Sequence, residues 1–287
     1  MEILKGEQIM LKAGTVITIG KFDGLHIGHM RLIDKMCEIG RRQGLSTVML
    51  SFSPQPAKVL KGIDTQLILS TKEKLYLLDE IGLDYYIEFP FTQKFSQMPP
   101  EHFIENVLYK QLGCRALVVG EDYRFGKDGA GDVALAQSLG KELGFDVYSE
   151  TFATTKDGVK ISSDYIRKSI ESGNVQEVLH LCGRRFFVMD RIVDHKAYIE
   201  NYANVDPEGF YRALVVLDNE KLLPPAGVYV TTSFIGGTGY LGSTFIKEGS
   251  NVIMNRLRNY NGGDPSGRQI TIQFVFNSHG NLEDTTL

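Results

Sequence analysis

Apolar and polar positions along this chain fall into two textures. Through the first 182 residues, short apolar runs alternate with stretches whose apolar residues recur at helical spacing. Thr15-Val16-Ile17-Thr18-Ile19 and Ser46 through Phe52 read as buried strands, and Tyr85–Phe89, Arg115–Gly120 and Val147–Phe152 follow as further ones. Between them, Leu32, Ile33, Met36 and Ile39 mark a first helix. Ser70-Thr71-Lys72-Glu73 forms a capping box ahead of Leu75, Leu78 and Ile81. Pro99-Pro100 opens a helix with Phe103, Val107 and Leu108 inward, and Val133–Leu143 is another. Strands alternating with helices predict a parallel sheet covered on both faces, hence an α/β class.

After Ser172-Gly173-Asn174 and a short helix over Val175–Leu181 the texture changes. Phe186–Val188, Tyr211–Leu217, Gly227–Val230 and Ile270–Phe276 are extended apolar runs with Gly and Asn clustered between them. That pattern predicts a small antiparallel β-barrel or sandwich. Two domains are expected, 1–182 and 183–287, with the polar end, Asn277–Leu287, frayed.

Composition narrows the class of function. With 287 residues, 43% hydrophobic and 23% charged, the chain has ordinary globular proportions. A net charge of -4 gives no general basic footprint, which argues against nucleic acid as a partner. Cys37, Cys114 and Cys182 show neither metal nor redox spacing, and Cys37 and Cys114, among apolar residues, read as reduced packing residues. The N-terminal residues show no signal peptide and no apolar run reaches membrane-spanning length, so a cytoplasmic protein with no membrane partner is expected.

The chemistry concentrates in three loops. Gly20-Lys21-Phe22-Asp23-Gly24-Leu25-His26-Ile27-Gly28-His29 joins the first buried strand to the first helix. Gly20, Gly24 and Gly28 allow close backbone approach to a ligand, and a helix N-terminus favours anions. His26 and His29 at that positive end can donate hydrogen bonds to phosphate oxygens. Glu121 through Asp132 is a second polar loop on the same sheet edge. Tyr123 and Phe125 there offer faces to a planar ring, and Asp122, Arg124 and Asp132 offer contacts to ribose, phosphate or hydrated magnesium. In the third, Ile161-Ser162-Ser163-Asp164-Tyr165-Ile166-Arg167, Ser162 or Ser163 can cap a helix, and Arg167 one turn on can reach phosphate.

His26-Ile27-Gly28-His29 resembles the H-x-G-H signature of nucleotidyltransferases. The extended G-x-F-D-G-x-H-x-G-H is similar to that of the prokaryotic FAD synthetase family. The stretch Gly120–Asp132 and the Ser162–Arg167 stretch resemble that family's further motifs in the expected order. The resemblance implies a Rossmann-like nucleotidyltransferase domain that transfers an adenylyl group from ATP to FMN with Mg²⁺. It implies nucleotide contacts from Gly20, Phe22, Asp23, Gly24, Gly28, Ser162 and Ser163, with His26, His29 and Arg167 neutralising the triphosphate. It also implies a flavin site at Phe52, Pro54, Pro56, Asp122, Tyr123 and Phe125, where Ser53-Pro54-Gln55-Pro56 is a stiff extended segment. Asp122 and Asp132 are the candidate metal contacts. Two departures stand out: Gln55 where a histidine is common, and Asp164 where the family has Thr.

The family's C-terminal half is a riboflavin kinase barrel. Pro224-Pro225-Ala226-Gly227-Val228-Tyr229 matches one of its strands, but no G-F-P-T-A-N run lies between Arg191 and Phe210. In place of a V-E-x-H strand stands Asn251 through Arg256, with no carboxylate between Glu248 and Asp264. A kinase without its base loses a contribution of roughly two to four orders of magnitude. The expectation is a monofunctional adenylyltransferase with an inactive barrel. The alternatives are a bifunctional kinase and synthetase, and a flavin-binding protein without turnover.

Overall fold

In a computed structural model, residues 1–193 and 210–278 are described. Contacts divide the chain into two compact units, Met1–Thr65 with Leu75–Ile161, and Gln66–Lys74 with Ser162–Leu287. The change of sequence texture at 182–183 leaves Ser162–Cys182 with the first half, whereas the contact division groups it with the second. The region between Arg191 and Phe210, where the kinase run was sought, lies largely outside the described residues, as does most of the chain end.

The first unit is built on a six-stranded parallel sheet. Its strands are β1 (Glu2–Lys5), β2 (Thr15–Ile19), β3 (Ser46–Ser53), β4 (Tyr85–Pro90), β5 (Cys114–Gly120) and β6 (Asp146–Glu150), in spatial order β1-β4-β3-β2-β5-β6. β2 is buried along its whole length, as a strand covered on both faces must be. β1, a short edge strand, was not expected from the sequence. Helix α1 (Ile27–Gln43) lays Ile33, Met36 and Ile39 inward, ends in Arg41 and Arg42, and is closed by Gly44. α2 (Pro56–Lys61) is short. α3 (Thr71–Ile81) starts with the expected capping box: the Ser70 amide donates to Glu73 Oε2 at 2.8 Å and the Glu73 amide to Ser70 Oγ at 3.2 Å. α4 (Pro100–His102) runs into a π-helical segment, Phe103–Gln111, which still buries Phe103, Val107 and Leu108. α5 (Val133–Leu143) spans the residues its periodicity predicts.

The chain leaves β2 towards β3 and β4 on one side, and β5 and β6 lie on the other. Such a reversal opens a crevice at the carboxyl ends of the central strands.

The second unit holds α6 (Ser163–Glu171), α7 (Glu177–Cys182) and a closed antiparallel barrel. Its strands are β7 (Phe187–Val193), β8 (Tyr211–Val216), β9 (Gly227–Ile235), β10 (Thr238–Ile246), β11 (Val252–Leu257) and β12 (Gln269–Asn277), in order β10-β11-β8-β7-β12-β9. Alternating burial along β9, β11 and β12 fills the interior from every second residue. One interior stripe is polar and neutral. Asn255 Nδ2 donates to Thr244 Oγ1 at 2.7 Å and Thr231 Oγ1 at 3.2 Å, and its Oδ1 accepts from Ser233 at 2.9 Å. All four side chains are fully buried, so each hydrogen bond removes a desolvation penalty.

Candidate active site

β2 delivers the first motif loop to the crevice. His26 caps α1, its Nδ1 accepting the His29 amide at 3.2 Å. A ring nitrogen that accepts cannot carry a proton, so in neutral His26 the proton sits on Nε2. The two imidazoles stack with centroids 3.6 Å apart and an interplanar angle of 17°, and Phe22 meets the His29 ring edge-on at 5.1 Å. No acidic residue occupies the first turn of α1, which leaves the positive end of its dipole uncompensated by a carboxylate there.

The loop's left-handed positions are shared between glycine and non-glycine residues. Gly24 takes a left-handed conformation (φ 86°), but Gly20 and Gly28 do not; the other left-handed positions in the loop fall to Phe22 (φ 49°) and Leu25 (φ 40°). Backbone of this kind costs about 1–3 kcal/mol per residue and persists where packing enforces it. Both side chains are buried in the core, which supplies that enforcement. Gly28 serves close approach: a Cβ there would stand 3.1 Å from the His26 ring. Asp23 is buried with its carboxylate 3.6 Å from Lys21 Nζ, and Lys21 also donates to Thr65 at 3.2 Å.

Beside this loop lies a largely apolar cavity of about 350 Å³. Its walls come from Phe52 near the end of β3, from residues following β2 (Gly20, Lys21), β3 (Gln55, Pro56), β4 (Phe91, Phe95) and β5 (Tyr123 to Gly126), and from Phe103. Phe52, Phe91 and Phe95 form a mutually tilted aromatic cluster at 5.5–5.8 Å. Tyr123 stacks on Phe125 at 5.5 Å. Burial raises the Tyr123 phenol above its ordinary value, so it stays a neutral hydroxyl.

Of the six residues expected at a flavin site, Phe52, Pro56, Tyr123 and Phe125 line this cavity, while Pro54 and Asp122 do not. Ser53-Pro54 is a cis peptide, Gln55 is extended (φ -63°, ψ 144°), and Pro56 is the first residue of α2, so the extended stretch is short and runs directly into a helix. Phe91, Phe95 and Phe103 were missed. Their readable signal was the phenylalanine spacing after β4 at the edge already carrying both other loops.

The acidic residues of the second loop are engaged elsewhere. Asp122 pairs with Lys160 at 3.0 Å. Asp132 caps α5 through the Leu135 amide at 2.9 Å and pairs with Arg124 at 3.2 Å; the cap and Arg124 hold its carboxyl below the usual range. Among the described residues no cluster of three or more His, Cys, Asp or Glu is placed to hold a metal ion.

In the second unit Ser162 caps α6, its Oγ accepting the Tyr165 amide at 3.2 Å, and Ser163 is the first helical residue. Asp164 is exposed in the first turn. Arg167 donates to the backbone carbonyl of Gln66.

A family model described as FAD synthetase matches residues 8–165. The chain belongs to the FAD synthetase family. Among its relatives is a bifunctional riboflavin kinase/FMN adenylyltransferase of Escherichia coli K12, 35% identical over 198 residues, covering 67% of this chain and 63% of that protein. The chain thus spans just under two thirds of that relative's length. A protein of the same description from Bacillus subtilis is 28% identical over 244 residues, covering 84% of this chain and 72% of its own. In fold, the chain is similar to a Streptococcus pneumoniae crystal structure described as a macrolide-efflux protein, with a TM-score of 0.79 at 21% identity over 96% of this chain and 90% of that one. Both matched sequences extend the family likeness past the FAD synthetase segment. No described helix is long and apolar enough to cross a membrane.

Proposed function

We propose that this protein is an FMN adenylyltransferase, converting ATP and FMN to FAD and pyrophosphate. The observation that carries the reading is the juxtaposition, at one sheet edge, of a histidine-capped helix N-terminus with a ring-sized aromatic cavity. FMN, a planar ring system carrying a phosphate, matches both features: the ring suits the apolar aromatic cavity and the phosphate the helix N-terminus. An FMN phosphate oxygen attacks the α-phosphorus of ATP; the new P–O bond forms as the α–β anhydride bond breaks and pyrophosphate leaves. FMN phosphate is already anionic near neutral pH, so catalysis consists of positioning and charge neutralisation.

In this reading His26 donates from Nε2 and His29 lies stacked against it, both facing the nucleotide's phosphates. Gly20, Phe22, Asp23, Gly24 and Gly28 shape their loop, and Arg167, with Ser162 and Ser163 at the α6 N-terminus, supplies the further phosphate contacts that the family motif implies. Phe52, Pro56, Tyr123 and Phe125 hold the isoalloxazine, with Phe91, Phe95 and Phe103 behind them. Mg²⁺ would supply charge neutralisation on the triphosphate. Asp122 and Asp132 fit a magnesium cage poorly because Lys160, Arg124 and the α5 cap already engage them, so neither is assigned to the ion. The first domain, 1–182, is assigned the transfer chemistry, and the barrel, 183–287, no kinase chemistry, in a cytoplasmic enzyme.

The test is a His29→Ala variant of the full chain. Turnover of FMN should fall by about two to three orders of magnitude while flavin binding, followed by fluorescence, is retained. Unchanged turnover would remove His29 from the reaction.

A further inference from the structure

We infer that the buried Glu73–Lys221 pair positions Arg167, by fixing the register of the segment whose first carbonyl holds the arginine's guanidinium. The inference rests on the proposed role of Arg167 as a phosphate contact.

Arg167 donates to the carbonyl of Gln66, the first residue of the segment Gln66–Lys74 that clusters with the second unit. That segment is bound tightly from Gln66 onward. Leu67 forms a parallel bridge with Lys221: its amide donates to the Glu220 carbonyl, and its own carbonyl accepts the Leu222 amide at 2.8 Å. The Lys221 ammonium then meets three acceptors, the Ile68 carbonyl at 2.6 Å, Glu73 Oε2 at 2.6 Å and the Phe187 carbonyl at 3.2 Å. An ammonium has three hydrogens, so this set can saturate it. Glu73 is equally committed: Oε2 also accepts the Ser70 amide at 2.8 Å and Oε1 the Met189 amide at 2.9 Å. Lys72 adds an outer pair with Asp190 at 2.9 Å.

Both charged side chains are 1% exposed. A buried ion pair is weak evidence for stability, since apolar residues of similar volume often serve as well. What it supplies is a single permitted register. Slipping the segment by one residue would shift the Gln66 carbonyl by about 3.3 Å and leave both buried charges without their partners. The carbonyl that orients Arg167 is therefore only two residues from the carbonyl that Lys221 clamps, and the other partners of that clamp, Phe187 and Met189, belong to barrel strand β7. This gives the barrel a part in adenylyl transfer.

The test is a double-mutant cycle on the full chain between Glu73→Gln/Lys221→Met, which removes the charge pair, and Arg167→Ala. Two quantities are measured: the Kd for Mg–ATP by calorimetry, and KM for ATP with FMN as acceptor. In the unaltered background the paired change should raise both by about tenfold or more, with circular dichroism unchanged. In the Arg167→Ala background it should change them by less than about twofold. Effects that multiply in full would overturn the inference. If the paired variant fails to fold, hydrogen exchange on the unaltered protein decides. Leu67 should exchange as slowly as Met189 and more slowly still with Mg–ATP; fast exchange, or none of that slowing, overturns the inference. The two readings separate. FAD formation with multiplying effects sinks only the positioning role, whereas a non-additive Mg–ATP affinity without FAD formation sinks only the reaction.

Discussion

At position 28 helix propensity and the site pull in opposite directions. At Gly28, the second residue of α1, alanine is a better helix former than glycine, by less than the full helix-interior difference. Its Cβ would press on the His26 ring from 3.1 Å, however, and that ring carries both the α1 cap and the stacked His29. Gly28→Ala should therefore leave the melting temperature level or slightly raised while kcat/KM falls by about tenfold or more. A drop in melting temperature with unaltered turnover would show that the glycine is there for packing alone. The motif loop was legible in the sequence as the turn joining a buried strand to a helix, but not its mechanics. The glycines were read for close approach to a ligand; that buried Phe22 and Leu25 join Gly24 in the left-handed region has no signal in the string.

Elements were most legible where a cap and a periodicity agreed. Ser70–Glu73 before α3, Ser162 before α6 and the span of α5 are local patterns, and each forms as its residues predict. Asp132 shows how far such local chemistry can mislead about a site. As a free carboxylate in a polar loop it was a metal candidate; as the α5 cap its lone pairs serve helix amides and Arg124. Asp132→Ala should lower the denaturant midpoint of unfolding by removing the α5 cap and leave the magnesium dependence of turnover unchanged. A shifted magnesium requirement would restore it as a metal contact. β10 was invisible because its glycines weaken a strand signal, although Gly236-Gly237 ahead of it is a hairpin turn signal. The cavity wall at Phe91, Phe95 and Phe103 depends on strand order, which no local pattern encodes.

At the scale of the whole molecule, the sequence shows a change of texture at 182–183, while the compact units interleave Gln66–Lys74 with the C-terminal half. That assignment depends on long-range pairing through Lys221, about 150 residues away in sequence from Glu73. Lys221→Met alone should cost about 3–5 kcal/mol, because it strands a buried carboxylate; loss of less than about 1 kcal/mol by calorimetry would mean that the pair is solvated in solution. The barrel's interior stripe of Thr231, Ser233, Thr244 and Asn255 is neutral and internally hydrogen-bonded, and the proposed reading assigns the barrel no kinase chemistry. Riboflavin with Mg–ATP should accordingly yield no FMN. The most direct measurement for the central claim is chromatography of products after incubating the full chain with Mg–ATP and FMN. FAD and pyrophosphate in equal amounts are predicted; flavin that stays bound as FMN, with no FAD formed, would contradict the account.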